Sequence, residues 1–177
     1  MMNKLYDPNT EGCLQEQVIM ERIVLPDVML SAEIPAELKQ MPESLKDMLY
    51  PYEDRPEMIF SDSDGKNQMT FQLIDKNLGQ EETREAAEAV REYISSRYPR
   101  SELSPVHLHA AGQYPASWFT MELDDAGEMQ QHVKAVLSVR SQMFLATATY
   151  PEQDRMKWEV LLKQFFNTLR ETTYYIR

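Results

Sequence analysis

The sequence predicts an α+β fold in which an antiparallel β-sheet is covered by two long helices, and three stretches carry that expectation. The first is residues 142 to 170, QMFLATATYPEQDRMKWEVLLKQFFNTLR: an apolar strand, a turn at Tyr150-Pro151, and a helix in which Trp158, Leu161, Leu162, Phe165, Phe166 and Leu169 recur at three- and four-residue spacing. Such a stripe must find a large apolar partner, which a sheet supplies. The second is residues 81 to 98, EETREAAEAVREYISSRY, with Ala86, Ala87, Val90, Tyr93 and Ile94 on one face and Glu81, Glu82 and Glu85 at the positive end of the helix dipole. The third is a series of short segments between turn residues, which reads as strands at hairpin spacing.

Taken in order, residues 13 to 20 and 22 to 34 are apolar and β-prone and read as two strands, interrupted by Pro26-Asp27. Between Pro35 and Pro56 the fragments AELKQM and ESLKDMLY permit one or two helical turns, limited by the prolines. Residues 57 to 75, EMIFSDSDGKNQMTFQLID, read as a hairpin with Asp64-Gly65 as a two-residue turn. Met69, Phe71 and Leu73 alternate there with Gln68, Thr70 and Gln72, so one face is dry and the other wet. Pro99 ends the helix that follows. VHLHAA (106 to 111), SWFTMEL (117 to 123), VKAVLSV (133 to 139) and QMFLATATY (142 to 150) should then pair antiparallel in chain order. With the hairpin and the N-terminal strands they make one sheet. Asp154 stands where an N-cap of the last helix belongs. Residues 1–21 are expected as an extension or extra strand and residues 22–177 as a single domain.

Composition bounds the function classes. A chain of 177 residues with 42% hydrophobic and 27% charged residues is globular in character, and no apolar run approaches the ~20 residues of a membrane helix. The start, MMNKLYDPNTEGCLQEQ, lacks a secretory pattern, and the lone Cys13 has no internal partner, so a cytoplasmic location is expected. The net charge of −11 repels phosphate backbones and anionic lipid, which argues against nucleic acid and membrane partners. The first 60 residues carry 12 acidic against 5 basic side chains and the other 117 carry 17 against 13, so the acidity concentrates near the N-terminus. A solvated acidic face explains it; a basic protein partner is the sharper reading.

The order of hairpin, helix, four-strand meander and terminal helix, ending FLATATYPEQDRMKWEVLLKQFFNTLR, resembles the α/β/α sandwich shared by the PsbP extrinsic protein of photosystem II and the Mog-type Ran-binding factor, over roughly residues 22 to 172. MLYPYEDRPEMIFSDSDGKNQMTFQLID is similar to a stretch in a small bacterial family of unknown function with this fold, through Tyr50-Pro51, Arg55-Pro56 and Asp64-Gly65. The resemblance implies a binding or assembly factor rather than an enzyme, with no photosystem or Ran-binding motif carried over.

Candidate chemistry is sparse. His107 and His109, two apart on a strand, face the same side about 7 Å apart and can reach one metal, with Glu122, Glu128 or His132 as a third ligand. The plain alternative is a pair of solvated histidines. Asp62, Asp64 and Gly65 begin like a calcium loop that lacks its later ligands. Ser117 and Ser138 have no glycine-framed elbow, the five glycines form no phosphate loop, and Asp124-Asp125 fall in a turn. In the YPYEDRP loop, Arg55 among Tyr50, Tyr52, Glu53 and Asp54 either locks the loop by local ion pairs or presents a recognition surface. The twelve methionines serve as core filler or an adaptable surface. The expected function is a non-enzymatic binding or adaptor module, monomer or homodimer, without cofactor. Its sheet face, or the Tyr50 to Pro56 loop with Tyr50, Tyr52 and Arg55, would contact a protein or a small ligand. A metal-dependent enzyme centred on His107 and His109 is the alternative.

Overall fold

The structure, a computed structural model, describes residues 17–172 of the chain. Cys13 and residues 13–16 of the first expected strand lie outside the described residues. The N-terminal run folds into a hairpin, β1 (Met20–Leu25) and β2 (Leu30–Pro35), paired from Met20↔Pro35 to Leu25↔Leu30. A single 3-10 turn, Pro26–Val28, joins them, closed by Met29 at φ 51° with its N–H donated to the Pro26 carbonyl. Pro26 has no N–H to give to a ladder, so the hairpin falls on either side of it and the expected strand boundaries shift. There follow β3 (Lys39–Gln40), in a fragment expected to be helical, α1 (Glu43–Leu49), β4 (Met58–Ser61), β5 (Gln68–Asn77) and α2 (Thr83–Arg97). The chain continues through β6 (Glu102–Leu103), β7 (His107–His109), β8 (Ala116–Asp125), β9 (Glu128–Val139), β10 (Gln142–Pro151), α3 (Arg155–Thr168) and β11 (Arg170–Glu171).

The strands form two antiparallel sheets where the sequence suggested one. In the large sheet the order is β3-β4-β5-β10-β9-β8, with β6 and β7 both pairing the outer side of β8. The meander β7 to β10 pairs in chain order, as expected, and the β5–β10 ladder seats the earlier hairpin beside it. The N-terminal strands join β11 instead, in the order β1-β2-β11. The reason lies in β2, which is buried along nearly its whole length. Leu30, Ala32 and Ile34 enter the core, while Glu33 is held by α3: its N–H donates to Thr168 Oγ1 (3.0 Å) and its carboxylate accepts from Gln164 (2.9 Å). β11 leaves α3 directly onto β2, with Arg170 opposite Ser31.

Alternating side chains of the large sheet feed two apolar clusters. Phe71, Val133, Ala135, Leu137, Phe144, Ala146 and Ala148 pack with the small sheet and with Trp158, Leu161, Leu162, Phe165 and Phe166 of α3. Phe119, Met121, Val136 and Met143 pack with Ala86, Ala87 and Ile94 of α2. Phe71 stacks on Phe144 (6.1 Å) and on Phe165 (5.6 Å), and Trp158 lies nearly parallel to Tyr150 at 5.1 Å. Its indole N–H donates to Asn67 Oδ1 (2.9 Å), which ties α3 to the loop before β5. Tyr93, expected on the buried face of α2, is exposed: the small Ala86 and Ala87 bring the helix close to the sheet, and the phenol turns to solvent. Asp154 sits at the N-cap of α3 without a side-chain capping bond.

The turns are specific. The loop between β4 and β5 runs over residues 62–67 and is longer than the expected two-residue turn. Gly65 has φ +72° and donates its N–H to the Asp62 carbonyl, while the Asp62 carboxylate accepts from Asn67 N and Nδ2. Between β9 and β10, Arg140 and Ser141 both adopt positive φ (52° and 62°), the conformation of a type I′ turn without its usual glycine. Gly112, at φ +94°, passes so close to α3 that an added Cβ would lie 2.8 Å from the Phe166 carbonyl oxygen.

Two stability measurements follow from this packing. Phe165→Ala removes the ring under Phe71 and should cost about 3–5 kcal/mol in chemical denaturation; a loss below ~1 kcal/mol would mean the stack carries little. Ser141→Gly relieves a left-handed non-glycine residue and should stabilise by about 0.5–1 kcal/mol. An unchanged or lower midpoint would show that the turn stores no strain.

Candidate functional site

α1 ends where Pro51 disfavours helical geometry for the preceding residue, and Tyr50 leaves the helix at φ −127°, ψ 66°. The chain then turns through Tyr52, Glu53 and Asp54 and is drawn back by Arg55. Its guanidinium donates to Asp47 Oδ1 (2.8 Å) and Glu43 Oε2 (3.1 Å), both on α1, and to the Tyr50 carbonyl (3.5 Å). Glu43 and Asp47 are largely exposed, so each pair contributes little stability, on the order of 0–1 kcal/mol; their effect is to hold the loop in one shape. Glu43 also pairs with Lys46 (2.9 Å), whose ammonium is buried and donates to the Glu57 carbonyl (3.3 Å). The Tyr50 hydroxyl donates to Gln68 Oε1 (2.6 Å), and the Tyr50 and Tyr52 rings meet edge to face at 5.9 Å. Asp47, Tyr50, Pro51, Tyr52, Glu53 and Arg55 line an open depression of about 460 Å³. Burial, and secondarily the neighbouring Tyr52, raises the Tyr50 pKa. Burial also raises that of Tyr52, followed by Asp54 and the Tyr98 phenol at the end of α2. Both phenols therefore stay protonated donors at neutral pH.

His107 and His109 share a face of β7, as the spacing requires, and each has an aromatic neighbour. His107 lies over Trp118 (4.7 Å), while His109 lies against Phe166 (5.3 Å) with Nε2 2.8 Å from Asn167 Oδ1. The three expected third ligands are elsewhere. Glu122 is four residues, about 13 Å, along β8 from Trp118 and accepts from Gln131. His132 is opposite Met121 and so faces the other side of the sheet, and Glu128 is exposed at the start of β9. Among the described residues no group of three His, Cys, Asp or Glu side chains is placed to hold a metal.

A polar strip on the α2 side of the sheet was missed as a unit. Across β5, β10 and β9 one row reads Gln68, Thr149, His132 and the next Thr70, Thr147, Lys134. The Gln68/Thr70/Gln72 alternation marked a wet face, but nothing in the spacing showed that β9 and β10 would continue it. His132 Nδ1 is 3.1 Å from Thr149 Oγ1, and its Nε2 is buried with no hydrogen-bond partner among the described residues. Lys134 Nζ reaches Thr147 Oγ1 at 3.4 Å. Burial first, then Lys134, with a smaller opposing effect of Asp125, pulls the His132 pKa down to about 4.

The sign of that shift sets a pH dependence. Between the ordinary histidine value, about 6.5, and about 4 the unfolded chain takes up a proton that folded His132 refuses, so stability is lost as pH falls through this window. At about 1.4 kcal/mol per pH unit, the loss amounts to ~3 kcal/mol at its lower end. His132→Gln should flatten the slope of unfolding free energy between pH 6.5 and 5 relative to the wild type; equal slopes would place the charged imidazole in a site open to water.

The sequence matches no family model and no curated protein. Solved structures to which this one is similar include the following three. Cyanobacterial PsbP from Synechocystis sp. PCC 6803 superimposes with a TM-score of 0.61 at 6% identity, covering 90% of this chain and 96% of that one. The Ran-binding protein Mog1p of Saccharomyces cerevisiae gives 0.54 at 10% identity, over 87% and 96% of the two chains. LpqN of Mycobacterium tuberculosis, involved in cell envelope biogenesis, gives 0.52 at 11%, over 89% and 92%. At these identities the likeness is one of architecture, and the two antiparallel sheets and three helices of the described residues form the PsbP/Mog-like fold.

Proposed function

We propose that the protein is a non-enzymatic binding or adaptor module that holds a protein partner through the Tyr50–Pro56 loop and the adjoining turn of α1. The observation that carries this reading is the loop's surface. Tyr52 is 50% exposed, and Met48 and Leu49 beside it are 67% and 48% exposed, within a border of Asp47, Glu53 and Asp54. Large apolar side chains left in water on a segment locked by Arg55 are ready to bind with little further ordering. An aromatic and aliphatic centre with an acidic rim suits a partner segment that carries apolar anchors among Lys or Arg, and the net charge of −11 favours its approach. That a structural neighbour is itself a Ran-binding protein supports a protein partner in general terms, without naming one.

The test is fluorescence anisotropy with synthetic peptides that interleave Lys or Arg with Leu, Phe or Trp, alongside acidic peptides of the same apolar content. The basic peptides should bind, more weakly at higher salt. Tyr52→Ala should weaken them at least tenfold, about 1.4 kcal/mol, with an unchanged melting temperature. Arg55→Ala should weaken them too, by freeing the loop. Binding of acidic peptides as tightly as basic ones, or affinity indifferent to Tyr52, would sink the proposal.

A further inference from the structure

Among the described residues Lys46 of α1 is buried and Lys134 of β9 is partly buried, and the two are treated differently. Lys46 is matched by Glu43 and by the Glu57 carbonyl. Lys134 has no carboxylate at ion-pair distance among the described residues, and its contact is the Thr147 hydroxyl at 3.4 Å. An ammonium set partly out of water without a countercharge is disfavoured, and burial accordingly lowers the Lys134 pKa. The surroundings divide by polarity. Toward Tyr50 stand Thr149, His132 and Gln68; in the other direction along β5 and β10 stand Leu145 and Ile74, both only partly buried. α2 packs over β8 and β9, whereas the side chains of Gln68, Thr70 and Gln72 on β5 stay partly open.

We propose that this strip is a binding site for a small monocarboxylate, with the Lys134 ammonium as countercharge, the Thr147 and Thr70 hydroxyls as hydrogen-bond donors, and Leu145 with Ile74 against the hydrocarbon part. One ammonium matches one negative charge. A phosphate dianion would want the forked donors of an arginine or a helix N-terminus, and the strip supplies neither. The site stands on β5, β9 and β10 and is independent of whether the loop binds a protein.

The probes are sodium benzoate and sodium butyrate, with sodium phosphate and sodium chloride at equal ionic strength. Benzoate and butyrate should raise the melting temperature of the wild type saturably, and amide NMR shifts should move at β5, β9 and β10. Phosphate and chloride should do neither. Lys134→Met keeps the aliphatic stem without the charge, and should lose the benzoate response at least tenfold in apparent affinity. If that variant proves poorly folded, the wild-type shift map decides: perturbations away from these strands overturn the site. So do the absence of any carboxylate response, an equal response to phosphate, or a response that survives in Lys134→Met.

Discussion

Phe71 of β5 lies against Phe144 of β10 on one side and Phe165 of α3 on another, so three segments distant in sequence meet at one ring. Each aromatic pair adds about 0.5–1.5 kcal/mol beyond the area it buries, but the geometric consequence matters more. With Phe71 and Phe144 side by side, the β5–β10 ladder has one register that keeps Met69, Phe71 and Leu73 on the α3 side. A slip of one residue would send Gln68, Thr70 and Gln72 into the core. That register in turn sets Thr70 beside Thr147 and Gln68 beside Thr149, and so creates the polar strip. Trp158 extends the same seam by reaching Asn67, which fixes the loop leading into β5.

The two faces of the large sheet are built to different standards. The α3 face is closed by aromatic and aliphatic side chains and by a second sheet. On the other face α2 covers only part of the area, with alanines at its closest approach, and the remainder carries threonines, glutamines, a histidine and a lysine. A domain that needed only stability would fill such a strip with apolar residues, since a partly buried ammonium without a countercharge and an unbonded imidazole nitrogen both oppose folding. Their presence on the incompletely covered face is the ground for the proposed carboxylate site. The Tyr50–Pro56 loop borders the same region, because the Tyr50 hydroxyl is anchored on Gln68.

The loop illustrates what is readable in advance. Arg55 flanked by carboxylates invited two readings from sequence, a lock or a recognition surface, and the structure places the guanidinium on Glu43 and Asp47 while leaving Tyr52 outside. The partners of Arg55 come from α1, residues that local spacing along the loop did not single out. Likewise His107 and His109 share a face by the simple alternation of a strand, but whether a third ligand joins them depends on which strands lie alongside, and His132 turned out to face the opposite side.

The sequence by itself determined the features whose cause is local: the stripe of α3, the amphipathic α2 ended before Pro99, the hairpin around Gly65, and the meander from β7 to β10. Each rests on side-chain periodicity, turn chemistry or proline geometry within a few residues. Only the tertiary structure decided that β1 and β2 leave the main sheet to join β11, that β5 pairs with β10, and that His132 and Lys134 line up with Thr147 and Thr149. These depend on pairing between distant segments, which is chosen by how whole faces fit together. A period of two states that a residue faces one side or the other, and is silent about which strand will lie next to it.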